Sequence, residues 1–113
     1  RYLLKLFSER MPYARPVAAV RVWVYGDCSG RQFVLRVRDA HGECFYRAPA
    51  TMAWTGWKQM AWDLTQEPPV NISAGDGNRQ QDCPPMEIVL DVSATAGEQF
   101  VVYLDDLEVE LVK

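Results

Sequence analysis

Hydrophobic and polar positions alternate one by one through much of this chain, most regularly between Val20 and Arg38. Val20, Val22 and Val24 share one parity and Arg21, Trp23 and Tyr25 the other; Phe33, Leu35 and Val37 oppose Val34, Arg36 and Arg38 in the same way. A period of two sends successive side chains to opposite sides of a strand, so each run carries an apolar face and a mixed aromatic and basic face. The pattern predicts strands over Tyr2 to Ser8, Val17 to Tyr25, Gln32 to Asp39, Glu43 to Ala48, Thr55 to Leu64, Met86 to Ser93 and Gln99 to Val112. Gly, Pro, Asp and Asn clusters separate them, and no long segment shows helical spacing free of competing alternation. An antiparallel, all-β sandwich follows. Asp39-Ala40-His41-Gly42 is predicted to be a tight hairpin turn and Gly26-Asp27-Cys28-Ser29-Gly30 a longer one, with Gly available wherever φ must be positive. Gln66 to Pro85 is the long loop, of a length that in compact domains is often functional, or else a cover for a sheet edge.

Composition narrows the picture. A chain of 113 residues, 49% hydrophobic and 12% aromatic, forms one packed domain. No run approaches the roughly eighteen apolar residues of a membrane span. A net charge of −3 and a pI near 5.1 give no basic footprint for nucleic acid. The chain opens on Arg1 with nothing of signal-peptide type, so it is expected to be one module of a longer protein.

Catalytic chemistry is not expected. The single histidine, His41, lies in a tight turn with no Ser or Cys placed to use it as a base. Pairs of carboxylates drawn from Asp63, Asp91, Asp105 and Asp106 are what any acidic β-domain contains, and no spacing suits zinc. Binding is the better reading. Trp23 and Tyr25 share a face with Arg21, and the following strand would add Arg36 and Arg38 if it pairs alongside. Aromatics to stack on a pyranose and guanidiniums to hold hydroxyls or carboxylates make up a sugar groove, with acidic glycans such as uronates favoured. The alternative is an outer sheet face that packs on another domain. Trp57 and Trp62, at odd separation, face opposite sides of a regular strand; Trp57 is assigned to the core, and Trp62 is left open. Trp54 precedes that strand at a loop tip, either exposed as a further stacking surface or closing the end of the core. Asp105 has the parity of Tyr103, Leu107, Val109 and Leu111, which places its carboxylate on the core-facing side near the strand's start, where it needs a partner.

Two segments carry a family resemblance. WVYGDCSGRQFVLRVRDAHGE followed by WTGWK resembles an accessory β-sandwich domain of large bacterial cell-surface and polysaccharide-processing proteins, where the form is close to WVYGDGSG, a strand ending in DAxG, and DWTGWK. The last strand, VVYLDDLEVEL, is similar to the YLDDL-type closing strand of the galactose-binding-like jelly rolls, the group to which many carbohydrate-binding modules belong. The chain departs from the pattern at Cys28, where Gly is usual, and at Ala53, where an acidic residue often precedes the Trp. The resemblance implies a jelly roll with its first and last strands adjacent, a non-catalytic role in targeting a parent protein to a polysaccharide, and an extracellular or cell-surface location. It also implies a structural calcium held with the help of Asp105, against which stands a carboxylate bonded to backbone amides. On the predicted topology Cys44 and Cys83 share one end of the sandwich and Cys28 the other. Export would therefore allow a Cys44–Cys83 bridge, and otherwise all three cysteines stay reduced.

Overall fold

A computed structural model describes residues 2–7, 15–83, 85–93 and 101–113, with Leu6 the only side chain described before Arg15. The strands are β1 (Tyr2–Phe7), β2 (Val17–Asp27), β3 (Gln32–Arg38), β4 (Cys44–Tyr46), β5 (Ala50–Thr51), β6 (Thr55–Asp63), β7 (Asn71–Ser73), β8 (Glu87–Val92) and β9 (Tyr103–Leu111). No helix occurs among the described residues. The expected strand ends at Ser8, Gln99 and Phe100, and Pro84 of the long loop, lie outside them.

The strands form two antiparallel sheets around one core, a sandwich-like all-β architecture. The wide sheet runs β1-β8-β3-β4-β7, with β5 also on β3; the narrow sheet runs β6-β2-β9. Alternation explains the core directly. Val20, Val22 and Val24 of β2 and Met60 and Trp62 of β6 face Phe33, Leu35 and Val37 of β3 and Ile88, Leu90 and Val92 of β8, all buried in one cluster. Fully burying each such side chain contributes about 1.5–3 kcal/mol, so this seam dominates the stability.

Two topological expectations are corrected. β2 does not pair with β3: its neighbours are β6 and β9, because the chain crosses to the other sheet between Asp27 and Gln32. The first and last strands are not adjacent either, since β1 lies on β8 and β9 on β2. The long loop proves to be an edge cover. Its short β7 pairs with β4, so that β4 is flanked on both sides and the wide sheet ends there on a strand of three residues.

Candidate functional site

The outer face of the narrow sheet is where the exposed aromatics gather. Tyr25 of β2 stands directly opposite Trp57 of β6 on one side and Tyr103 of β9 on the other. The row crosses every strand of the sheet. Tyr25 and Trp57 have ring centroids 5.4 Å apart at 79°, and Tyr25 and Tyr103 are 6.2 Å apart at 86°, so both neighbours meet Tyr25 edge-to-face. Exposure is 44% for Tyr25, 50% for Trp57 and 59% for Tyr103, while Trp23, two positions back on β2 and on the same face, is 38% exposed. Rings this large and this exposed, side by side, are unusual unless something is meant to cover them.

Local sequence explains the arrangement. On β6 Trp57 has the parity of Gln59, Ala61 and Asp63, while Met60 and Trp62 point inward and are buried. The expected core position of Trp57 is therefore overturned: the polar company of its own parity outweighs the apolar character of the indole. Trp62 takes the core place. On β9 a bulge intervenes, with Trp23 opposite Asp105 and Arg21 opposite Glu108, so that β9 spends one residue more than β2, and Asp106 takes φ 48°. The bulge reverses parity. Asp105 consequently shares the outer face with Tyr103, exposed rather than core-facing, and its Oδ1 accepts only the Asp106 N–H, 2.9 Å away, among the described hydrogen bonds. The core-side placement on which the calcium expectation rested does not hold.

Arg21 lies on the aromatic face, but it is occupied. Its Nη2 donates to Glu110 Oε2 at 2.5 Å and its Nη1 lies 3.6 Å from Glu108 Oε2. The hydrogen bond to Glu110 raises the Arg21 pKa further above its ordinary value. Arg36 and Arg38 are not brought to this face at all. Both belong to β3 in the other sheet, where Arg36 donates to Glu87 at 2.7 Å and Arg38 borders a small polar recess of about 220 Å³ with Asp39, Gly42, Met86 and Glu87. A single site combining the three arginines with Trp23 and Tyr25 is excluded by the crossover.

Trp54 closes the end of the core. Its indole packs over Gly26, at a position no Cβ could share, and its Nε1 donates to the Val24 carbonyl at 3.2 Å. Lys58 Nζ sits 5.1 Å from the centre of the ring. Trp54 is thus a lid rather than a free stacking surface.

The opposite end of the molecule is polar. Asp39 is 1% exposed, and its Oδ1 accepts the N–H groups of His41 (3.0 Å) and Glu43 (2.9 Å) while Oδ2 accepts that of Asp82 (3.0 Å). One carboxylate therefore ties the β3–β4 turn to the long loop. His41 Nδ1 adds a contact to Asp82 Oδ2 at 2.9 Å and lies 3.4 Å from Asp76 Oδ2. The Asp82 hydrogen bond raises the His41 pKa, and the same bond, helped by Asn78, lowers that of Asp82. The ligand atoms of His41, Asp76 and Asp82 lie within 4.8 Å of one another, but these groups already satisfy each other. Cys44 and Cys83 lie at this end, as expected from the topology; both are free thiols, as is Cys28.

Asp39, Tyr103 and the outward Trp57 escaped sequence reasoning. The Asp-x-x-Gly turn pattern, the polar parity of β6 and the position of Tyr103 just before Asp105 were the signals that could have found them. Compared with known proteins, the chain matches no protein-family model, no curated sequence and no solved structure.

Proposed function

We propose that this domain is a non-catalytic carbohydrate-binding module of the galactose-binding-like jelly-roll type, carried by a larger exported bacterial protein that it targets to a polysaccharide. The observation that supports this reading is the exposed row Trp57–Tyr25–Tyr103, extended by Trp23, on a sheet face that nothing in the described chain covers. Flat, rigid rings offer a large contact area at little entropic cost and match the apolar faces of pyranose rings. The sheet holds them still. Strands rather than loops carry all four side chains, so little ordering entropy is lost when a ligand docks. His41 is engaged by carboxylates in a structural turn, which suits a binding domain rather than a hydrolase.

The test is a glycan array with the isolated domain, followed by titration of the best ligand against wild type, Trp57→Ala and Trp23→Ala. Binding is expected for wild type and a loss on the order of 2 kcal/mol for either variant. If wild type binds no glycan, or both variants bind as well as wild type, the face serves instead as a packing surface for a neighbouring domain.

A further inference from the structure

Resting on the glycan-binding reading, we propose that the aromatic row takes an amino-sugar polymer, bound through its ammonium groups, rather than a uronic-acid or other anionic glycan. The guanidiniums that made anionic sugars attractive are absent from this face or spent on it: Arg36 and Arg38 lie in the other sheet, and Arg21 is held by Glu108 and Glu110. What surrounds the rings is acidic. Asp27 follows Tyr25 on β2 at the same parity and Asp105 stands across from Trp23 on β9, so that two carboxylates flank the rings, while Glu108 and Glu110 further along β9 hold the Arg21 guanidinium.

Asp105 is the position that gives this charge a direction. It stands directly across from Trp23, is exposed, and forms no ion pair among the described residues, its one described bond being the neighbouring Asp106 N–H. A carboxylate beside an indole face is a matched receptor for an ammonium group, which the ring attracts through its quadrupole and the carboxylate through its charge. A sugar carrying such a group at the edge of a pyranose would stack on the ring and reach Asp105 together. A uronate would instead bring its negative charge into a field of the same sign, where like charges lower affinity and slow encounter.

The experiment titrates the domain, at mildly acid pH and low salt, with β-linked glucosamine hexamer, its fully N-acetylated form, a hexauronate and oligolysine. The glucosamine hexamer is expected to bind about tenfold tighter than the hexauronate, a preference that a few surface charge pairs supply. That margin should shrink as salt is raised. Asp105→Asn should weaken the glucosamine hexamer about threefold and leave the N-acetylated form unchanged, whereas Trp23→Ala should weaken both. A hexauronate that binds as tightly as the glucosamine hexamer, or an Asp105→Asn variant with unaltered preference, overturns this proposal while the glycan reading stands. Oligolysine matching the glucosamine hexamer shows an acidic patch for cationic peptides and also overturns it. Silence from every oligosaccharide removes the glycan reading itself.

Discussion

The turn end and the outer face of the narrow sheet are built on opposite rules. At the turn end, Asp39 is buried and takes three backbone N–H groups, and His41 and Asp82 hold each other, although the buried Glu43 Oε1 beside them has no hydrogen-bond partner. On the outer face of the narrow sheet, Tyr25 meets Trp57 and Tyr103 edge-to-face, and these three rings and Trp23 stay 38% to 59% exposed. A buried carboxylate that takes three backbone donors is doing structural service, because leaving a buried donor unpaired costs about 1–3 kcal/mol. A region that keeps large apolar surface uncovered on a rigid frame is available to a ligand. The difference also sorts the substitutions: those at the turn end should act on folding and those on the sheet face on binding.

The largest effect should come from Asp39→Ala. It strands the N–H groups of His41, Glu43 and Asp82 at once and cuts the tie between the β3–β4 turn and the long loop. A loss of about 3 kcal/mol is expected, read as a fall in Tm of about 10 °C for a domain of this size. A variant that melts within a degree or so of wild type would mean that the turn and the loop are held by something else. Tyr25→Ala is the complement. Its ring sits at the centre of the aromatic row but is 44% exposed, so stability should change by less than about 1 kcal/mol while glycan affinity falls by about 2 kcal/mol. Calorimetry and titration on the same preparation would break the comparison if the two effects came out in the reverse proportion.

How much of this could be read from residues alone depends on whether the information is local. Alternation is local, and it placed Val20, Val22 and Val24 opposite Trp23 and Tyr25 correctly, as it did Phe33, Leu35 and Val37 in the core. Which strand lies beside which is not local. The parity of β2 says which face Trp23 is on but not that its neighbours are Gln59 and Asp105, distant along the chain, rather than the strand that follows. Arg36 and Arg38 were misplaced for that reason. A bulge is equally silent: one extra residue at Asp106 turned Asp105 outward although Val109 and Leu111 of the same numerical parity point in. The Asp39 network was half legible, since an Asp-x-x-Gly turn announces a side chain that bonds its own backbone, but its bond to Asp82 depends on how the long loop folds back.

A smaller and opposite effect is expected at Cys28. This residue has φ 56°, a left-handed conformation that costs a residue with a Cβ about 1–2 kcal/mol and costs glycine nothing. Cys28→Gly should relieve that strain, offset in part by the greater freedom of glycine in the unfolded chain, for a net gain of up to about 1 kcal/mol in chemical denaturation. A net loss would show that the exposed thiol makes a contact worth more than the strain.

The smallest effect separates the two regions by pH. His41 has its pKa raised above 6.5 in the folded protein by Asp82, so its share of stability is fully present below 6.5 and is lost as pH rises through the raised folded value. Asp82 has its pKa lowered below 3.8 by the same hydrogen bond, so its share is present above 3.8 and is lost as pH falls through the lowered folded value. The two shares overlap between those ordinary values, where the imidazolium faces an ionised carboxylate. A His41→Gln variant should therefore differ most from wild type in Tm between about pH 4 and 6.5 and converge with it once pH has risen past the raised folded value, where His41 is neutral in both states. Both groups are solvent-accessible, so the difference is expected to be slight and to fade with added salt. Glycan affinity measured across the same range should show no dependence on His41, because no described contact joins the turn end to the aromatic row. An affinity that tracked the His41 titration would mean that the two regions are coupled, and the division of labour between them would have to be given up.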